Sequence, residues 1–284
     1  MIDETVAEIE RMGTHSSSVV AVKAAEALRE LFDREYPTVA EYVRDLERNS
    51  NALRRANPSH ASLHTTQREI VETVEAADAP DVSEAKKRTD EVIDRVVETV
   101  QTGKQQAAER AAETFEDGET VLTHDYSSTL LEAIELAARD GTHLDVYVTE
   151  ARPRYLGRKA ARTLAGIDRV EPHLLVDAAA GEVLDDCDRV VLGMTCIVED
   201  TYYNRVGTFP IAATAAQLAV PVSVVGSSSK IIESGGFSFE NEHRSPTEVM
   251  REPAEGFEIH NPAYDATPIH LVDEVVTDET TRRQ

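Results

Sequence analysis

Apolar residues along the first part of the chain recur at helical spacing. Ile2, Val6, Ile9 and Met12 mark a first amphipathic helix. After a polar break at Gly13 to Ser18, the run V-V-A-V-K-A-A-E-A-L-R-E-L-F gives a second, strongly apolar one. Pro37 introduces a third helix over Thr38 to Ala56, as a helix start allows. Asn57-Pro58-Ser59 breaks the period, and Ser59 or Ser62 is placed to cap a fourth helix that runs through Val74. Beyond A-D-A-P-D-V-S, Ser83 to Phe115 reads as one long amphipathic helix. Val92, Ile93, Val96, Val97 and Val100 form its apolar side, and Gly103 interrupts it without ending it. The pattern predicts an all-helical N-terminal domain over residues 1 to 116.

At Asp117-Gly118 the period changes. Strand-like runs at Thr120 to Thr123, Leu144 to Thr149, His173 to Val176, Arg189 to Leu192 and Pro221 to Val225 now alternate with helical ones. The helices fall near Ser127 to Arg139, Gly157 to Ala165, Gly181 to Leu184 and Thr208 to Leu218. Alternation at this spacing predicts an α/β domain over residues 117 to 284, with a parallel sheet covered on both faces. The first strand is followed by T-H-D-Y-S-S and not by G-x-G-x-x-G, so the usual dinucleotide fingerprint is missing.

Charge narrows the function classes. The chain carries 53 acids against 29 bases, a formal charge of −24, and the acids are spread throughout. Such self-repulsion suits a protein kept soluble at high salt. It argues against nonspecific nucleic-acid binding, which needs a basic footprint. No run of 18 apolar residues exists to span a membrane, the acidic N-terminus is unlike a secretory signal, and a cytoplasmic protein is expected. The two cysteines, Cys187 and Cys196, have neither zinc spacing nor a disulfide framework. No metal and no cofactor are expected.

In so acidic a chain a local excess of arginine needs a reason. Arg152, Arg154 and Arg158 gather where the strand ending in Val148 passes through a Pro153-containing loop into a helix. In an open α/β sheet, ligands bind where strand ends meet helix starts, and the guanidinium fork matches phosphate. Other polar turns occupy similar places. They are Thr123 to Ser128, Gly193-Met194-Thr195-Cys196, Asn204-Arg205 before the helix at Thr208, Gly226 to Lys230, and Thr14 to Ser18. Each alone is equally a capped turn, with Ser127, Ser128 or Thr208 as the cap. Together they make a phosphate-bearing small molecule the leading ligand class. His124 and Asp125 are adjacent on a strand end, point to opposite faces and form no dyad.

The segments T-E-A-R-P-R-Y-L-G-R, N-R-V-G-T, S-S-K-I and N-P-A-Y-D-A-T-P occur in this order, after M-G-T-H-S-S-S-V-V-A-V-K-A-A-E-A-L and N-P-S-H-A-S-L. That order resembles the translation initiation factor 2B alpha/beta/delta family. The family also holds ribose-1,5-bisphosphate isomerase and methylthioribose-1-phosphate isomerase. The resemblance covers nearly the whole chain. It implies a helical N-terminal domain, a Rossmann-like α/β C-terminal domain and a homodimer or higher assembly. It implies translation initiation factor 2 and a sugar phosphate or nucleoside monophosphate as partners, with no membrane and no nucleic acid.

Departures from the family pattern bear on catalysis. Asp125 stands where the isomerases have their catalytic Cys, and Thr195 where they have their catalytic Asp. His15, Ser16, Ser17 and Ser18 replace a phosphate-binding R-G-A-G loop, and Asn57 replaces the Arg that opens R-P-T-A-V-S-L. The ligand-contacting positions Ser127, Ser128, Arg152, Asn204, Arg205 and Lys230 keep groups that suit an anion. Aldose–ketose isomerisation needs a group to take a proton and one to return it. Asp125 can act as a base, whereas the Thr195 hydroxyl cannot act as an acid near neutral pH. The expectation is therefore a non-catalytic initiation factor 2B-like protein that self-associates and binds a phosphorylated ligand. The alternative is a sugar-phosphate isomerase with an altered catalytic pair.

Overall fold

The computed structural model describes residues 2–11, 17–232, 237–252 and 255–283. The chain divides into two units, Met1–Gly103 with Gly236–Phe239, and Lys104–Gly235 with Glu240–Gln284.

The helical periods of the first unit become α1 (Ile2–Arg11), α2 (Ser17–Ala27), α3 (Val39–Ala56), α4 (Ala61–Ala76) and the start of α5 (Val82–Ala112). Thr38 caps α3 by accepting a hydrogen bond from the Glu41 N–H. The cap position of α4 falls to His60, whose side chain makes no capping bond. Ile9, Val20, Leu28, Leu31, Leu46, Leu53, Leu63, Ile70 and Ile93 are fully buried in one core. Tyr42 is buried there too, and its hydroxyl is satisfied by Thr89 Oγ1 at 2.7 Å. The long helix expected over Ser83 to Phe115 is α5, which passes Gly103 unbroken and continues into the second unit.

The second unit carries a seven-stranded sheet. Its strands are β1 (Glu119–His124), β2 (Leu144–Thr149), β3 (Val170–Leu175), β4 (Arg189–Gly193), β7 (Val222–Val225), β10 (Glu274–Val276) and β11 (Thr281–Arg283), in the order β11-β10-β7-β4-β1-β2-β3. All pairs are parallel except β10 with β11. The central strands are buried Val-rich runs, as a sheet covered on both faces requires. The connecting helices include α6 (Ser128–Arg139), α7 (Leu156–Leu164), α8 (Ala180–Val183) and α9 (Thr208–Leu218). This bears out the α/β class.

The hydrophobic pattern did not announce a second, four-stranded sheet. It comprises β5 (Cys196–Val198), β6 (Thr201–Arg205), β8 (Ile231–Ile232) and β9 (Tyr264–Pro268), in the order β8-β5-β6-β9. Cys196, Asn204 and Arg205, read above as parts of polar turns, belong to the β5–β6 hairpin. No helix among the described residues is long and apolar enough to cross a membrane.

The strand order sets the site. From β1 the chain adds β2 and β3 on one side, then returns to place β4, β7 and β10 on the other. The crevice beyond the carboxyl ends of β1 and β4 is therefore a topological switch point.

Candidate functional site

A small pocket opens at this edge of the second unit. Asp125 enters it from the end of β1. Ala151 to Arg154 and Leu156 come from the β2–α7 turn, and Arg205 and Val206 from the end of β6. Arg244, Pro262 and Ala263 close it. The lining thus includes one carboxylate and four arginines.

The backbone is shaped to present them. Asp125 (φ +66°), Ala151 (φ +56°) and Tyr155 (φ +58°) all adopt the left-handed conformation that non-glycine residues rarely take. The Asp177 carboxylate accepts from the N–H groups of Ala151 and Arg152, both at 2.7 Å, and fixes the arginine turn. Gly157 lets α7 start against β2, since a Cβ there would lie 1.8 Å from the Thr149 carbonyl oxygen. His124 turns away from Asp125. Its Nε2 lies 2.8 Å from the Val206 carbonyl and its Nδ1 2.5 Å from Thr149 Oγ1, so a neutral ring donates to the first and accepts from the second. That bond ties the β6–α9 corner to the central strand. At the corner Gly207 has φ +109°, and any Cβ there would strike the His124 ring at 2.8 Å.

Arg205 is the most enclosed of the four guanidiniums. Its Nε lies 3.2 Å from Asp125 Oδ2, with the two side chains only 16% and 12% exposed. Its guanidinium stacks over the Tyr264 ring at 4.7 Å. Its Nη1 is buried without a hydrogen-bond partner. Burial opposes its charge, but Tyr264, Asp125 and Glu242 outweigh burial and raise its pKa. Arg154 is pushed the other way, by burial first and then by repulsion from Arg244 and Arg205. Arg244 is held by Glu248, at 3.0 Å through Nε and Nη2, and by Glu242 at 2.6 Å. Arg152 donates to the Val249 carbonyl at 3.0 Å and to the Tyr155 hydroxyl. Arg158 pairs with Glu150 at 2.5 Å and does not line the pocket.

Asp125, Arg152 and Arg205 thus line one pocket. Thr195 does not line the pocket and connects to Arg205 only through a relay. Its hydroxyl donates to Asn204 Oδ1 at 3.1 Å, Asn204 donates to Thr208 Oγ1 at 3.1 Å, and Thr208 donates to the Arg205 carbonyl at 2.7 Å. Thr208 does not cap α9. The Asp265 carboxylate does so, accepting from Gly207 N at 2.7 Å and Phe209 N at 3.1 Å. The Lys230 Nζ donates to the Met194 carbonyl at 2.8 Å, and burial pushes its pKa down to about 8. Ser127 caps α6 through the Leu130 N–H, and its Oγ lies 2.5 Å from where a Gly193 Cβ would sit. Ser128 lines a separate cleft along α6 with Tyr126 and Glu132.

Ser17 begins α2 buried in the first unit, followed by the half-buried Ser18. Asn57 ends α3 and accepts from the Ser59 hydroxyl at 3.0 Å. His15 and Ser16 lie outside the described residues. Burial pushes the Cys187 and Cys196 thiols up to about 11 and about 12, so neither supplies a thiolate near neutral pH. Among the described residues no cluster of His, Cys, Asp or Glu is placed to hold a metal ion.

Sequence reasoning missed Asp177, Asp265, Tyr264 and Arg244 as parts of the site. Tyr264 and Asp265 stood within the quoted N-P-A-Y-D-A-T-P segment, the one available signal. Arg154, one of the three loop arginines but not among the expected ligand contacts, lines the pocket.

A parallel sheet with an arginine-lined pocket at its switch point places this protein in the α/β class. More particularly, the chain belongs to the Initiation factor 2 subunit family, whose model matches residues 13–280. Six relatives, 27% to 30% identical over 96% to 98% of this chain, are named ribose 1,5-bisphosphate isomerase. They include the protein of Haloterrigena turkmenica, 30% identical over 96% of this chain and 88% of that one. The Methanocaldococcus jannaschii protein is 29% identical over 98% and 90%. The fold matches the translation initiation factor eIF-2B of Pyrococcus horikoshii OT3, with a TM-score of 0.80 at 24% identity over 99% of this chain and 96% of that one. The non-catalytic role expected from the replaced Cys and Asp is overturned by the six relatives. They carry an enzyme's name across nearly the full length of the chain.

Proposed function

We propose that the chain is a sugar-phosphate isomerase of the ribose 1,5-bisphosphate type, with Asp125 as its base. The observation that carries this reading is the single carboxylate set among four arginines at the sheet's switch point. It offers a proton acceptor and an anion cradle within one small pocket. The names of the full-length relatives support the same reaction class.

A ribose phosphorylated at C1 has no free aldehyde. Its C1–O4 bond must break, with O4 taking a proton. The hydrogen on C2 then moves to C1, and the C2 hydroxyl loses its proton to become the ketone. When that hydrogen moves as a proton, one carboxylate can perform the transfer alone, taking it from C2 and returning it to C1 on the same face of the intermediate. No second acid at position 195 is then needed for the carbon-centred step. Asp125 takes that role, and Arg205 with Arg154 and Arg244 neutralises the phosphate. Self-association, implied by the family resemblance, belongs to the same reading.

Purified protein at high salt should convert ribose 1,5-bisphosphate to the 2-ketose bisphosphate, followed by appearance of the ketone. Asp125→Asn should lower kcat about 10²- to 10⁴-fold, the usual span for a lost general base. 5-Methylthioribose 1-phosphate shares the C1 phosphate and lacks the one at C5, so the two substrates in parallel show which end the pocket reads. Absence of turnover with both sinks the proposal.

A further inference from the structure

The Asp125–Arg205 pair is an unusual resting arrangement for a base. A carboxylate bound to a guanidinium spends its lone pairs on that partner. Yet the pair is incomplete. Asp125 meets Arg205 through Nε at 3.2 Å, a long contact for a charge-assisted bond. The Nη1 of the same guanidinium is buried and has no partner. Leaving a buried donor unmade is costly, and a charged one more so. Arg154 and Arg244 line the same pocket, Arg244 being held by Glu242 and Glu248. A phosphate dianion, with three acceptor oxygens and twice the charge, can serve the buried Nη1 and bridge to the neighbouring arginines.

We propose that Asp125 is an internal stand-in for the ligand's phosphate: it holds Arg205 until a phosphate dianion displaces it, freeing the carboxylate to act on the sugar. The proposal rests on the reading of this pocket as a sugar-phosphate site and adds a trigger to it. The base is masked while no phosphate is bound and exposed by the group that marks the correct substrate. Dianions are selected over monoanions, because only a ligand of greater charge than the carboxylate gains by the exchange. The pair is largely buried, so bulk salt screens it weakly and the masking persists at high ionic strength.

The sign of one substitution tests this. Inorganic phosphate is titrated calorimetrically into wild-type protein, Asp125→Asn and Asp125→Gly. Both replacements tolerate the left-handed backbone at this position (φ +66°), so the turn is kept while the charge is removed. If Asp125 competes with the ligand, both variants bind phosphate more tightly, by about tenfold, a shift of the size one partly buried charge contact gives. Arg205→Ala abolishes the gain. If Asp125 instead only supports Arg205, the variants bind phosphate equally or more weakly, and the proposal is overturned. Sugar-phosphate turnover by the wild type together with unchanged phosphate affinity in the variants removes the trigger and leaves the isomerase reading standing. Failure of every protein to bind phosphate removes both.

Discussion

At the scale of single residues, the site is defined by what burial does to charge. Arg205 keeps its charge against burial because Tyr264 and Asp125 lie beside it. Lys230 loses part of that contest, its pKa falling from an ordinary 10.5 to about 8. Below about pH 8 the lysine is charged in both the folded and unfolded chain, and the burial penalty is felt in full. Between about 8 and 10.5 the unfolded chain holds a proton that the folded chain has released, so this residue's contribution to stability rises with pH across that window. Denaturant unfolding of wild type and Lys230→Met should therefore show a stability difference that shifts in favour of the wild type as pH rises from 8 to 10. A difference that stays flat removes the buried-ammonium account. These effects were only partly legible in the sequence. The arginine excess at 152 to 158 was visible as an anomaly of charge. Which of the three turn inwards depends on Asp177, which holds the turn from 25 residues further along the chain. No local pattern could show that.

At the scale of elements, α9 shows how a helix start is claimed before a ligand arrives. The Asp265 carboxylate takes the Gly207 and Phe209 N–H groups, both capping the helix and meeting its positive end. Asp265→Ala should cost about 1–2 kcal/mol and lower Tm by about 2–8 °C. It should also raise KM more than it lowers kcat, because the corner it releases carries Arg205. An unchanged Tm in a scanning melt would falsify the capping role. The helices and the five longer strands of the parallel sheet were legible because each carries its own period over many residues. The second sheet was not. Its strands are two to five residues long, and β9 pairs with β6 across about 60 residues of sequence. β6 and β9 lack the continuous Val-rich character of the legible strands β4 and β7, and the polar Tyr203-Asn204-Arg205 end of β6, just before the helix at Thr208, imitates a turn.

At the scale of the whole molecule, the formal charge of −24 sets the working conditions. Repulsion among dispersed surface acids is strong at low salt, where the screening length is about 10 Å at 0.1 M, and weak at 1 M, where it is about 3 Å. Tm should rise by about 5 °C or more between 0.1 and 2 M KCl, measured by circular dichroism. A salt-independent Tm would show that the paired surface charges, such as Arg29 with Asp90 and Asp94, already balance the excess. α5 has a practical consequence at this scale. Compactness divides the chain at Gly103, but the hydrogen-bond ladder of this 31-residue helix continues through that point to Ala112. A fragment cut at Gly103 would strip the last four carbonyls of one piece and the first four N–H groups of the other of their partners. A cut after the helix, near residues 113 to 118, keeps the ladder whole but takes Ala108, Ala111 and Ala112 from the core of the second unit, so neither cut leaves two intact halves.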